Sequence, residues 1–206
     1  MKNLITKTVA ITLASIVSLL AIVFGVLSIL TPKTVADIFD NLGANNASIF
    51  LYQMNYEKTD DIQDLIDIVD KTYANQDSLR QEKYLDMLIA REDFNTFCLA
   101  SDRENLGKDD YELTTKEYYY GYYASVLYKN EKFDKALEVA NEFVKTNGYT
   151  KFNPLSTLLD EYRFKFTDEQ TAQVEKAIKD ARCKNNEQKE YRNKDLQYIK
   201  ILNTLN

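Results

Sequence analysis

An uncharged, apolar run from Val9 to Leu30 is the feature that most constrains this chain. At a helical rise of about 1.5 Å per residue its 22 residues span about 33 Å, close to the roughly 30 Å hydrocarbon thickness of a bilayer. One helix of this length crosses a membrane with little tilt. We therefore expect residues 1–31 to form a short N-terminal stub and a single transmembrane anchor, which contacts the lipid bilayer via Val9 to Leu30.

Two other interpretations of this run are open. A cleavable signal peptide would use Lys2 and Lys7 as its basic region and residues 34–36 as its cleavage site, but secretory apolar cores are usually about 7 to 15 residues long. A buried core helix would need a polar face, and the run offers only scattered Ser and Thr hydroxyls. The length of the run favours a retained signal anchor over both.

The lysines near the run predict its orientation. Lys2 and Lys7 precede it, whereas only Lys33 follows closely, with Asp37 and Asp40 behind it. Because positive residues favour the cytoplasmic side of a membrane, we expect the N-terminus in the cytoplasm. This orientation predicts a single-pass protein of the cell membrane whose C-terminal domain is extracytoplasmic.

The residues after the anchor predict an all-α domain. The chain has only five glycines and two prolines, which is poor material for β-hairpins and good material for helices. Residues 32–206 are enough for one domain with its own core, and no change of composition marks a second. We expect a helical-repeat domain over 32–206 that ends in a long C-terminal helix.

Local signals divide these residues into about seven or eight helices. Helix starts are indicated by capping-box spacings, an Asn-Pro pair and a capping Asp: Thr114 with Glu117, Thr167 with Gln170, Asn153 with Pro154, and Asp77. An apolar stripe at helical spacing follows Thr59: Ile62, Leu65, Ile66 and Val69. Breaks are expected near residues 91–93, at Gly107 and at Gly148, and the last helix is expected to run unbroken from Thr167 to Leu205.

The segment 120–148 narrows the range of all-α folds that the sequence predicts. It places aromatic, apolar and small residues at Tyr120, Tyr123, Ala124, Leu127, Phe133, Ala136 and Ala140. In this order a small residue lies where two helices touch, an aromatic residue opens the second helix, and an alanine follows three residues later. The segment resembles one tetratricopeptide repeat unit. The resemblance implies a TPR-like array of antiparallel helix pairs and, in general, peptide or protein binding.

A second similarity within the sequence supports an internal repeat. The tetrapeptide Glu-Lys-Thr-Asp at 57–60 and the pair Lys-Thr at 71–72 recur as Glu-Lys-Phe-Asp at 131–134 and Lys-Thr at 145–146. The offset of 74 residues is roughly two tetratricopeptide lengths of about 34 residues each. The alternative is an irregular helical bundle in which these identities are chance.

The residue types present argue against catalysis. The chain has no histidine, which removes His-assisted nucleophiles, imidazole proton transfer and imidazole metal ligands. Its five glycines are far apart, so no phosphate-binding loop is expected, and no carboxylate pair stands out for glycoside hydrolysis. We expect no enzyme activity, no cofactor and no metal. The net charge of −6 disfavours nucleic acid as a partner.

Acidic residues and cysteines have ordinary structural interpretations. Asp60, Asp64 and Asp67 share one face of a helix, which we interpret as its solvated side rather than as a calcium site. Cys98 lies among aromatic residues and is expected to be a buried thiol, whereas Cys183 lies in a polar stretch. A disulfide between the two is the alternative in an oxidising compartment.

A group of tyrosines is the feature most suited to a partner. The predicted partner-binding residues are Tyr118, Tyr119, Tyr122, Tyr123 and Tyr128. At roughly 100° per residue they spread over more than the about 100° of one core stripe, so some rings must face outward or into a groove. Tyrosine combines apolar area with a polar tip, which suits protein contacts. The alternative is that the rings fill the seams between helix pairs.

These observations predict a membrane-anchored, non-catalytic scaffold that binds another protein through a helical domain. By analogy of architecture alone, the partner would be membrane-associated and the scaffold an accessory subunit of a membrane or envelope complex. Two other functions compete with this one. The first is a surface protein that binds cell-wall carbohydrate through exposed tyrosines, and the second is a carboxylate-dependent wall hydrolase.

Overall fold

The computed structural model describes the backbone of residues 2–105 and 113–205, and the side chains of residues 7–105, 113–201 and 204. These residues form eleven helices and no strand, which confirms the expected all-α class. The helices are α1 (Lys2–Leu30), α2 (Pro32–Asn41), α3 (Asn45–Thr59), α4 (Ile62–Ala74), α5 (Ser78–Ala90), α6 (Phe94–Asn105), α7 (Thr115–Lys129), α8 (Phe133–Asn147), α9 (Pro154–Tyr162), α10 (Asp168–Asp180) and α11 (Asn186–Leu205). They belong to two compact units, unit 1 (Met1–Gln76) and unit 2 (Asp77–Asn206).

Helix α1 contains the apolar run. Its segment Lys7–Leu30 is long and apolar enough to cross a membrane, and none of its most apolar window is buried against the rest of the protein. The few hydroxyls in it bond within the helix, because Ser15 Oγ donates to the carbonyl of Ile11 at 2.9 Å and Ser28 Oγ to that of Phe24 at 2.7 Å. The exposed surface of this segment is therefore apolar and suits contact with lipid.

Helices α2 to α4 complete unit 1. Proline at the first position starts α2, and the Asp61 side chain starts α4 by accepting the Gln63 amide at 2.9 Å. Fully buried apolar side chains join the three helices: Val35, Ala36, Ile49, Leu65, Ile68 and Val69. Helices α2 and α3 lie where the sequence analysis predicted none, so the described residues after α1 form ten helices rather than seven or eight.

The interpretation of the acidic face of α4 was wrong at Asp64. Its side chain is only 4% exposed, because α2 and α3 cover it. It accepts hydrogen bonds from Lys33 Nζ at 3.0 Å, from Thr59 Oγ1 at 2.6 Å and from Asn55 Nδ2 at 2.6 Å. Burial acts to raise the pKa of this carboxyl, but the hydrogen bonds from Thr59 and Lys33 outweigh it and hold the pKa below its ordinary value. Asp64 is therefore a buried structural group that joins three helices.

Unit 2 contains helices α5 to α11, and its local start signals are confirmed. Asp77 accepts the Arg80 amide, Thr167 forms a capping box with Gln170, and Asn153 caps α9 ahead of its proline. The predicted break at 91–93 separates α5 from α6, and Gly148 follows the end of α8. The predicted stop at Gly107 lies outside the described residues.

The expectation of one unbroken helix from Thr167 to Leu205 was wrong. The chain turns extended at Ala181, which ends α10, and α11 begins at Asn186. The break is held from both sides, because the Arg182 carbonyl accepts the Tyr149 amide at 3.0 Å and Asn185 Oδ1 accepts the Gln188 amide at 2.8 Å. A continuous helix would need the Arg182 carbonyl for its own hydrogen bonding.

The two cysteines differ in environment. Cys98 is 2% exposed, which confirms the expected buried thiol, and burial raises its pKa to about 12. Cys183 is half-buried, and both thiols are free.

Candidate partner-binding site

Helix α7 positions the tyrosines, and a capping box fixes its start. The Glu117 amide donates to Thr114 Oγ1 at 3.2 Å, and the Thr114 amide donates to Glu117 Oε2 at 2.9 Å. The reciprocal bonds satisfy two amides that the first turn leaves without helical partners. Glu117 is thereby committed to the helix start, although it is a buried carboxylate.

Three sides of α7 are covered by other helices of unit 2. Tyr120 packs its ring 5.1 Å from that of Phe143 in α8. Gly121 lies against α9, where a Cβ at this position would stand 2.9 Å from Thr157 Oγ1. Further along the same side, Ser125 Oγ donates to Glu161 at 2.8 Å. The absence of a side chain at Gly121 is what lets α7 and α9 approach so closely.

Two of the five predicted tyrosines are buried against helices α5 and α6. Tyr119 is 7% exposed and its ring meets that of Phe94 edge-on at 6.0 Å. Tyr123 is 2% exposed and its hydroxyl donates to the Asp86 carboxylate. Burial, together with this hydrogen bond, raises the pKa of the Tyr123 phenol far above its ordinary value. These two rings bind α7 to its neighbours.

Tyr128 belongs to an aromatic cluster at the other end of α7. Its ring centroid lies 4.3 Å from that of Tyr162, 5.4 Å from Phe166 and 6.2 Å from Phe133. Its hydroxyl donates to the Lys165 carbonyl at 3.2 Å, and burial raises its pKa. The cluster joins the C-terminal end of α7 to the chain that follows α9.

Tyr118 and Tyr122 lie on the remaining side of α7. Four residues apart on a helix, they are separated by about 40° around the axis, and they point away from the Tyr120 side that contacts α8. Tyr118 is 47% exposed, Tyr122 is half-buried, and their ring centroids are 6.1 Å apart with an angle of 34° between the planes. We call these two residues the outer tyrosine pair.

A polar groove of about 370 Å³ opens at the N-terminal end of α7. It is bounded by the start of α7, the loop before α9 and the start of α11: Thr114, Glu117, Thr150, Lys151, Asn185, Glu187, Gln188 and Tyr191. Tyr118 comes one residue after Glu117 and one turn after Thr114. An amide-rich, mixed-charge wall of this kind suits hydrogen bonding to a peptide better than burial of an apolar molecule.

One polar cluster in unit 2 was missed by the sequence analysis. Asp195 in α11 accepts hydrogen bonds from Tyr149 Oη at 2.5 Å and from Ser156 Oγ at 2.6 Å, and Asn153 Nδ2 donates to Ser156 Oγ at 2.9 Å. Tyr149, Asn153 and Ser156 are buried, so the cluster fastens α11 over the start of α9. The Asn-Pro signal at 153–154 identified the helix start, but nothing near it indicated a partner more than 40 residues later.

In the part of the chain that the structure describes, no three acidic, Cys or His side chains are grouped closely enough to hold a metal ion. Comparisons of the chain with protein-family models, with curated proteins and with solved structures give no match.

Proposed function

We propose that the protein is a membrane-anchored, non-catalytic scaffold that binds another protein through unit 2. The observation that carries this proposal is the exposure of Tyr118 on a helix whose other three sides are occupied. A ring with nearly half of its surface in water, backed by Tyr122, offers a partner apolar area and a hydroxyl, and a polar groove of about 370 Å³ opens at the same end of α7.

The packing under the outer tyrosine pair supports a rigid platform. Ala124 and Ala136, at the positions where the tetratricopeptide resemblance expects small residues, are fully buried, and so is Ala140. Only residues 130–132 link α7 to α8. A helix fixed in this way loses little conformational freedom when a partner binds.

The anchor and its orientation are part of the proposal. Helix α1 would stay in the cell membrane as an uncleaved signal anchor, with the N-terminus in the cytoplasm and both units' remaining helices outside it. The partner would be a protein of the same membrane or envelope, and the scaffold an accessory subunit of its complex.

Site-specific photocrosslinking in the intact cell membrane tests the scaffold. A photoreactive phenylalanine at Tyr118 should give one dominant crosslinked protein, whereas the same group at Glu138, exposed on α8, should not. Substituting Tyr122→Ala in the Tyr118 crosslinking variant should reduce the yield. Identical products from Tyr118 and Glu138 would contradict a specific site on α7.

A cell-wall carbohydrate is the second candidate partner, and the geometry of the outer tyrosine pair favours it as an alternative. Exposed aromatic faces are apolar platforms on which sugar rings can stack. Retention of the detergent-solubilised protein on purified wall material, lost in the variant Tyr118→Ala/Tyr122→Ala, would support this function. The same double variant should leave wall binding unchanged if the partner is a protein.

A further inference from the structure

The chain changes direction sharply between α1 and α2. Phe24 lies six residues before the end of α1 and Phe39 seven residues after the start of α2, so a continued direction would separate them by about 22 Å at 1.5 Å per residue. Their ring centroids are 6.3 Å apart. The chain therefore bends sharply at Thr31, so that the Phe39 ring near the end of α2 contacts the Phe24 ring, which lies about 9 Å before the C-terminus of α1.

Contacts of α3 and α4 with their neighbours show which helix ends of unit 1 lie together. Lys58, near the end of α3, donates to the Ile29 carbonyl at the end of α1. At the opposite end of these helices, Lys71 in α4 pairs with Asp40 in α2 at 2.6 Å, and Asn45 donates to Asn75. The end of α2, the start of α3 and the end of α4 therefore lie together, at the end where Phe39 contacts Phe24 of α1.

Large exposed apolar side chains gather at this end. Among the described residues of α2, α3, α4 and their links, the large hydrophobic side chains that are exposed are Ile38 (40%), Leu42 (74%), Phe50 (60%) and Tyr73 (62%). All four lie within two turns of the end formed by residues 41–45 and 74–75. We call them the return surface. The turn at the other end, Asp60 and Asp61, is acidic and exposed.

Several polar groups beside the return surface are paired. Asp40 has its ion pair with Lys71, Tyr52 donates to Asp37, and Asn45 donates to Asn75. Paired groups of this kind tolerate an environment less polar than water. Tyrosine is, in addition, a residue typical of the boundary between headgroups and acyl chains.

We propose that the return surface of unit 1 inserts into the headgroup and acyl boundary of the bilayer that holds α1. The proposal rests on the membrane anchor of the proposed function. Its occupant follows from continuity with α1, because the lipid-length segment Lys7–Leu30 is about 36 Å long and Phe39, next to Ile38 of the return surface, contacts Phe24 within that segment. Since Asp37, Asp40 and Asp70 outnumber Lys71 at this end, we expect zwitterionic rather than anionic lipid.

Tryptophan fluorescence in reconstituted vesicles tests this inference, because the natural chain has no tryptophan. The full chain is reconstituted in phosphatidylcholine with plain or acyl-brominated lipid, which quenches nearby indole rings. Four single variants are compared: Leu42→Trp and Phe50→Trp on the return surface, Glu57→Trp as the exposed control towards the other end of α3, and Val17→Trp as a reporter of α1.

We expect strong quenching of Val17→Trp, clear quenching of Leu42→Trp and Phe50→Trp with emission shifted to shorter wavelength, and little change in Glu57→Trp. Quenching of Val17→Trp without quenching of Leu42→Trp or Phe50→Trp would overturn the inference and leave the anchor standing. Absence of quenching at Val17 would overturn both. A blue-shifted but unquenched Leu42→Trp would mean that a protein surface covers this end, which also overturns the inference.

Discussion

The ammonium group of Lys33 in α2 lies 3.0 Å from the buried carboxylate of Asp64 in α4, and 2.8 Å from Asp67 one turn further on. The hydrogen bond with Asp67, and that with Asp64, raise the pKa of Lys33 well above its ordinary value. The ion pair is half-exposed on the lysine side, so water screens it, and the hydrogen bonds of the carboxylate matter more than its charge.

Substituting Asp64→Ala should destabilise unit 1 by about 1–3 kcal/mol, because Thr59, Asn55 and Lys33 all lose an acceptor at a buried position. Urea unfolding, followed by circular dichroism, measures the change. The control is Glu57→Gln, which removes an exposed charge near the end of α3 and should change stability by less than about 0.5 kcal/mol. Equal effects of the two substitutions would contradict the structural role of Asp64.

Acid should destabilise both units. Hydrogen bonds from Lys132 and Asn130 overcome the effect of burial on Glu82 and lower its pKa, as the bonds to Asp64 do in unit 1. A lowered pKa in the folded protein contributes stability that is present above the ordinary carboxyl pKa of about 4 and is lost as the pH falls below it. Urea unfolding between about pH 6 and pH 3 should show this loss, and the double variant Asp64→Asn/Glu82→Gln should show a smaller one.

Removing the hydroxyl of a buried tyrosine should cost more than removing an exposed one. Tyr123→Phe loses the hydrogen bond to Asp86 and should destabilise unit 2 by about 0.5–1.5 kcal/mol. Tyr118→Phe, on the exposed side of the same helix, serves as the control and should leave the unfolding midpoint nearly unchanged. If the two variants unfold alike, the Tyr123 bond contributes nothing.

Alkaline titration should reveal the buried phenols. Burial, with a carboxylate beside each ring, raises the pKa of Tyr52, Tyr123, Tyr149 and Tyr162 above the ordinary value. Their contribution to stability is complete below about pH 10 and is lost as the pH rises, because only the unfolded chain ionises there. The phenolate absorbance of these groups should therefore appear together with loss of helical circular dichroism. Ionisation of all fifteen tyrosines before any loss of helix would contradict their burial.

The contact of Gly121 with Thr157 should appear as coupling between two substitutions. Gly121→Ala gains about 1 kcal/mol of helix propensity, but its Cβ would stand 2.9 Å from Thr157 Oγ1, so the net change should be destabilising. Thr157→Ala removes the two nearest atoms. We expect Gly121→Ala to stabilise the protein in the Thr157→Ala background, and a double-mutant cycle measures the difference. Additive effects would mean that α7 and α9 do not touch at Gly121.

Helix ends that depend on neighbouring residues were predictable. Thr114 with Glu117, and Asn153 with Pro154, satisfy backbone amides within three positions of themselves. Such signals act within one turn, so the sequence contains all that is needed to recognise them.

Helix α3 was not predicted, and it lacks a signal of this kind. Helix α3 follows Ala44, which makes no side-chain cap. The break before α11 has no glycine or proline, although Asn185 and Gln188 have the spacing of a cap and could have indicated it.

Whether a side chain on a helix is exposed depends on which other parts of the chain pack against it. The spacing of Asp60, Asp64 and Asp67 predicted a solvated helix face. Asp64 is buried because Lys33, 31 residues earlier, and the end of α3 pack over it. Likewise, the spacing of the tyrosines on α7 required that some of their rings face outward. Which ones point outward was decided by Asp86 and Phe143, on helices before and after α7. Sequence periodicity identifies the faces of a helix. Whether another helix covers a face depends on residues that are far away in the sequence.

Thr31 belongs to two helices at once. Its amide donates to the Leu27 carbonyl at 2.7 Å and its carbonyl accepts the Val35 amide at 3.2 Å, so it completes α1 and begins α2. No flexible linker separates the two helices, because Thr31 is the single residue between them. With α1 in lipid, helices α2 to α4 would have no flexible linker that lets them move away from the membrane, and any molecule that binds them would do so at a fixed distance from the bilayer.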